Sequence, residues 1–173
     1  MAEYRFVTHW RIEAPLHQVF DAIFHSLHWP EWWQGAEKVE ERVSGDAEGV
    51  GNVRRYTWKS RLAYRLTFDA HTTRIEPQAF LEATASGDLE GVGRWFFSHD
   101  GQVTTVRYEW LVRTTKPWMN LLASGMHVLF KWNHHALMQR GGEGLVRLLN
   151  ARLVDISHTE LPLRPDRESA LKQ

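Results

Sequence analysis

A single change of period governs what this chain can become. From Lys38 to Thr114 apolar and polar residues alternate in short runs, whereas from Met119 onward the apolar residues recur every three or four positions. Period two marks a strand with one buried face; the wider spacing marks an amphipathic helix. The runs are Lys38 to Ser44, Val53 to Lys59, Leu62 to Arg74, Ala79 to Ser86, Val92 to Ser98 and Val103 to Thr114. Gly45-Asp46, Gly49-Val50-Gly51, the glycine-rich stretch Gly87 to Gly93 and Asp100-Gly101 separate them as turns. An earlier strand runs from Tyr4 to Ile12, with Tyr4, Phe6, Thr8, Trp10 and Ile12 on one side. Consecutive strands joined by short turns predict an antiparallel meander of about seven strands, long enough to coil rather than lie flat.

Two short helices are expected after the first strand. Pro15 suits a first helical turn, and Leu16, Val19, Phe20 and Ile23 follow at helical spacing. Pro30 opens a second in Trp29-Pro30-Glu31-Trp32-Trp33, a segment too rich in tryptophan to stand in solvent. Pro117 starts a long helix whose stripe is Met119, Leu122, Met126, Phe130, Asn133, Leu137, Gly141, Leu145 and Leu148, reaching about Leu153. Gly141, Gly142 and Gly144 either weaken this helix or let it approach the sheet closely. The expected organisation is one α+β domain over residues 1–155 and a flexible polar tail over 156–173.

Composition narrows the partners. Lysine plus arginine and aspartate plus glutamate both number 21, so no net field draws nucleic acid or an anionic membrane. There is no cysteine, which removes disulfides and thiol chemistry. No apolar run approaches the ~20 residues that span a bilayer. The first twelve residues lack a signal-peptide core, which predicts a cytoplasmic setting. Nine tryptophans are the outlier: they predict a large aromatic core or a pocket with flat, rigid walls.

The order strand, two short helices, six strands and long helix resembles the helix-grip fold of START-like, polyketide cyclase and birch-pollen-allergen-like proteins (the SRPBCC superfamily). The residues that carry it are Ile12-Glu13-Ala14-Pro15 with Val19-Phe20, Trp29-Pro30-Glu31-Trp32-Trp33, Glu90 to Trp95 and Tyr108-Glu109-Trp110. Lys131-Trp132-Asn133-His134 with Met138 resembles a bacterial subgroup described as polyketide cyclase or dehydrase. The resemblance implies a cavity between the long helix and the concave face of the sheet, sealed at one end by the short helices. It implies a small hydrophobic ligand, lipid-like or polyketide-like, and alternatively a cyclase or dehydratase that orients an enolate and moves a proton. Fold does not fix reaction, so whether the chain is an enzyme stays open at this point.

The candidate ligand-binding residues are Trp33, Trp58, Tyr64, Trp95, Tyr108, Trp110, Met126, Phe130, Asn133 and Leu137. Asn133 stands where an apolar residue is expected on the helix stripe, so its amide needs partners: a ligand oxygen or a neighbouring strand. Asn133 and His134 are the weak catalytic candidates, histidine because it titrates near neutrality. No metal or cofactor is expected, because no histidine pair has the spacing of a helical zinc site. Arg54, Arg94 and Glu109 are charges within strands: one that faced inward would have to be paired, and a buried Arg–Glu pair could orient a polar ligand end or move a proton, but the expectation is that they face water, paired across neighbouring strands. The glycine-rich 87–93 stretch is expected to be a hairpin connection, since no helix follows it as a phosphate loop requires.

Overall fold

A computed structural model describes residues 3–60, 64–115 and 123–160, the side chains of 123–126 excepted. The chain runs β1 (Glu3–Glu13), α1 (Leu16–Phe24), a 3-10 turn (Ser26–His28), α2 (Trp29–Trp32), β2 (Ala36–Val43), β3 (Val53–Lys59), β4 (Arg65–Glu76), β5 (Phe80–Gly87), β6 (Leu89–Asp100), β7 (Val103–Thr114), α3 (Ala123–Leu148) and β8 (Arg152–Glu160). The strands form one antiparallel sheet in the order β2-β3-β4-β5-β6-β7-β1-β8. This is the α+β helix-grip arrangement: a curved sheet, short helices after β1, and a long helix against the concave face. No described helix is long and apolar enough to cross a membrane.

The alternation behaves as its period requires. Along β1, Tyr4, Phe6, Thr8, Trp10 and Ile12 are all buried. Across the β1–β7 pairing, Phe6 stands opposite Trp110 and Trp10 opposite Val106, so both strands turn the same face inward. Ile12, Val19, Phe20, Ile23, Trp29 and Trp33 join the main core, where α1 and α2 close one end of the sheet.

Three expectations change. First, the sheet has eight strands, because the residues after the long helix return as β8 along the edge of β1. The helix stops at Leu148 rather than near Leu153. Asn150, at φ 49°, reverses the chain, and the Ala151 N–H bonds back to the Val146 carbonyl. Residues 156–160, expected in the tail, are therefore strand: Ile156 pairs with Trp10 and His158 with Thr8. Second, Leu148 lies on the exposed side at the helix end. Third, the 87–93 connection shrinks to Asp88 alone, with Gly87 ending β5 and Gly91 and Gly93 inside β6. Pro117, Met119, Leu122, Leu62 and the tail beyond 160 lie outside the described residues.

The helix glycines serve close approach. A Cβ at Gly141 would stand 2.4 Å from the Trp33 ring, at Gly142 2.6 Å from Ile156, and at Gly144 2.0 Å from the Trp32 carbonyl oxygen. The second half of α3 thus lies directly on α2 and on β1–β8. Its first half meets β1 through larger side chains, His127 and Phe130 both lying 5.3 Å from the Tyr4 ring.

Candidate functional site

Between α3 and the sheet lies a cavity of about 180 Å³. Its floor is β3 to β7, its roof is α3, and its closed end is the α1–α2 corner. The walls are mainly rings. Trp33 is the centre of the closed end, with ring-centroid distances of 4.9 Å to Trp29, 5.3 Å to Trp58, 5.4 Å to Trp10 and 6.2 Å to Trp95. Its indole N–H donates to the Leu137 carbonyl at 2.9 Å, which ties α2 to α3. On the floor Tyr108 stacks on Trp95 at 4.0 Å and Trp110 leans against Phe68 at 5.6 Å. Gly93 makes this possible: a Cβ there would come within 3.0 Å of the Trp110 ring.

Of the residues singled out from sequence, Trp33, Trp58, Trp95, Tyr108, Trp110, Phe130, Asn133, His134 and Leu137 all line this one hollow. Tyr64 does not. It packs against Phe130, at 6.1 Å, in a smaller cluster with Tyr4, Phe6 and Val112. The side chain of Met126 lies outside the described residues. Asn133 accepts a hydrogen bond from the Ser60 hydroxyl at 3.1 Å. The sheet-side partner considered for its amide is therefore present, and Ser60, Asn133 and exposed Lys59 all line the cavity.

His134 stacks on Phe6 at 4.4 Å with its Nε2 buried and unpartnered. Desolvation, with smaller contributions from His135 and His158, pushes its pKa down to about 3. The imidazole is thus neutral throughout the physiological range. Desolvation likewise raises Tyr56 and, more strongly, Tyr108, so both keep their hydroxyl protons. Among the described residues, no three His, Asp or Glu side chains are grouped to hold a metal ion.

One residue corrects the sequence reading. Arg54 does not face water: it lines the cavity beside Tyr56, its side chain only 13% exposed. Its Nη1 donates to the Phe24 carbonyl at 3.1 Å and to Ser26 Oγ at 2.9 Å, and Ser26 Oγ lies 2.7 Å from the Tyr56 hydroxyl. Asn52 and Thr72, bonded to each other at 3.0 Å, continue this polar end. The signal was present in the alternation, since Arg54, Tyr56 and Trp58 share one face of β3 and Trp58 is on the inward side. By contrast Arg94 pairs with Glu82 at 2.7 Å and Glu109 with Arg107 at 2.8 Å, as cross-strand and same-strand ion pairs.

No protein-family model matches the chain, and no curated protein matches it in sequence. Solved structures do match it in shape. A Thermus thermophilus protein superposes with a TM-score of 0.67 at 18% identity, over 85% of this chain and 99% of that one. The Zhui aromatase/cyclase of Streptomyces sp. R1128 gives 0.68 at 10% identity, over 86% and 94%. A START superfamily protein of Mycobacterium smegmatis gives 0.68 at 9% identity, over 84% and 97%. At these identities the likeness establishes the helix-grip fold alone, and function has to be argued from the site itself.

Proposed function

We infer that the protein binds a small, flat, largely apolar molecule between α3 and the concave face of the sheet. The observation that carries this is the hollow itself: about 180 Å³, walled mainly by indole, phenol and aliphatic groups, with a few polar side chains among them. An apolar pocket with a few placed polar groups is the usual make-up of a small-molecule site. The size favours short ligands. It lies below the roughly 300–1,000 Å³ of drug-sized sites and near the roughly 150 Å³ that accommodates benzene in an engineered core. One- or two-ring aromatics, or aliphatic molecules of similar bulk, fit that space. The aromatase/cyclase among the similar structures and the START-like fold are consistent with an apolar guest.

A cyclase or dehydratase asks for more than room. It needs a group in the cavity that exchanges a proton near neutral pH. The histidine lining the cavity, His134, is held neutral, and Tyr56 and Tyr108 are pushed away from ionisation. Binding is therefore the better-supported reading. The test is a titration of the purified protein, monitored by tryptophan fluorescence and native mass spectrometry, with naphthalene-type, flavonoid, sterol and fatty-acid probes. Stoichiometric binding of the two-ring probes, with weaker binding of sterols, is the expected result. No binding by any class would overturn the reading.

A further inference from the structure

We propose that the ligand of this cavity carries a carboxylate, and that Arg54 receives it at the α1 end. This rests on the cavity being a ligand site, as argued above. Other arginines of this chain show how the guanidinium is used here. Arg55, Arg65 and Arg152 each present the Nε–Nη2 edge to a carboxylate: Arg55 to Asp69 at 2.7 and 2.8 Å, Arg65 to Glu37 at 2.5 and 2.8 Å, and Arg152 to Glu13. That edge matches the two oxygens of a carboxylate, which is why such forks are strong and specific.

Arg54 presents the same edge to no carboxylate at hydrogen-bond distance among the described residues. Its Nη1 bonds end on neutral oxygens, the Phe24 carbonyl and Ser26 Oγ. Its Nε is buried without an acceptor. Glu41 stands 3.9 Å from Nη2 and is itself partly open to water. Glu82, which also borders the cavity, is engaged by Arg94 at 2.7 Å. Arg107 has an unpartnered Nε as well, but its guanidinium lies over the Phe96 ring and pairs with Glu109 on the outer face. Among the described residues, Arg54 alone combines a buried, unsatisfied Nε with a position on the cavity wall. A buried guanidinium with an incomplete shell is costly to hold, and an anion arriving at it regains that cost. Ser26, Tyr56 and Asn52 surround the same end, so a carboxylate there meets hydroxyl and amide groups rather than rings. The ligand's apolar body then lies along Trp58, Trp95 and Trp110.

The experiment compares 2-naphthoic acid with 2-naphthamide, two molecules of one shape that differ in charge, by calorimetry at pH 7.5. The acid is expected to bind about tenfold or more tightly than the amide, the discrimination typical of a charge-assisted pair. Arg54→Met removes that preference while leaving the amide within about threefold of wild type, and Arg54→Lys restores only part of it. Glu41→Gln, which removes the distant competing carboxylate, raises affinity for the acid and leaves the amide unchanged. Equal binding of acid and amide by the unmodified protein overturns the proposal and needs no variant to fold. So does a preference that survives Arg54→Met or disappears instead with Lys59→Met. If neither molecule binds, nor naphthalene itself, the cavity reading fails and the proposal falls with it.

Discussion

Gly141 lies face to face with the indole of Trp33, so close that a single added methyl group would stand 2.4 Å from the Cε2 atom of the ring. This contact sets the height of α3 above the closed end of the sheet. Trp33 cannot step aside, because it is 2% exposed, wedged among other tryptophans, and bonded through its N–H to the Leu137 carbonyl. Gly141→Ala ought to gain about 0.5–1 kcal/mol from helix propensity alone. Overpacking reverses that sign, and we expect a net loss of about 1–3 kcal/mol. Urea denaturation checks it, with Gly144→Ala behaving similarly and an exposed-site substitution at Glu143 near neutral.

The cavity's capacity should follow its indoles. Trp110 is only half-buried and forms part of the floor. Trp110→Ala enlarges the hollow, so three- and four-ring aromatics gain affinity while two-ring probes lose contacts and bind about tenfold more weakly. Titration of a ring-number series against both proteins measures the crossover.

Stability should fall with acid before the carboxylates titrate. His134, held at about 3, and His158, held at about 4 by desolvation and the neighbouring His135, both resist protonation in the fold. His135 and His158 stack at 4.3 Å between α3 and β8, with Lys131 and Glu160 paired beside them. The unfolded chain takes up these protons near the ordinary histidine value of about 6.5, and the folded chain does not. The unfolded state therefore binds more protons below that pH, and stability drops as pH falls. Each fully shielded histidine contributes about 1.4 kcal/mol per pH unit; His158, partly open to water, contributes less. The paired carboxylates Glu13, Glu37, Asp69 and Glu82 are pulled down by their arginine partners, so their stabilisation is present above their ordinary values and is lost progressively as pH falls below about 5. Denaturation at about pH 7, 6.2 and 5.5 thus isolates the histidines. His134→Phe, which keeps the stack on Phe6, should flatten the slope.

His134→Phe should also leave probe binding within about threefold, because a neutral ring replaces a neutral ring. If the protein turns over a poly-β-ketone mimic and this variant or Asn133→Ala abolishes turnover, His134 or Asn133 has a chemical role that the binding reading does not require.

A chain ended after Ala151 should not stay soluble. Removing β8 strips the backbone partners from one edge of β1 and uncovers Trp10 where Ile156 covered it. An unpaired, apolar sheet edge is an aggregation template. Size-exclusion chromatography separates this outcome from that of a chain ended after Glu160, which should remain a stable monodisperse species.

The segment that forms β8 carries a weak local signal. Leu153 to Thr159 contains Val154, Ile156 and Thr159, a short β-like pattern, but the polar residues between them resemble those of a tail. Pairing with β1 is what makes it a strand. Two tyrosines show the same limit. Tyr64 continues an alternation with Leu62 and Leu66, and Tyr108 one with Val106 and Trp110. Yet Tyr108 lies in the cavity wall, whereas Tyr64 falls just before β4 and packs against Phe130.

Local sequence pattern was enough to set the elements and their faces. Period two and period 3.6 are properties of neighbouring residues, so β1, β3, β7 and the core stripe of α3 are legible without any long-range information. Three features arose only when the chain was folded: the hollow itself, the unsatisfied Nε that Arg54 keeps beside it, and the extension of the sheet by β8. They depend on how far α3 stands from a curved surface. That distance is set by contacts between residues more than a hundred positions apart, Gly141 on Trp33 and Ile156 against Trp10, which no local pattern encodes.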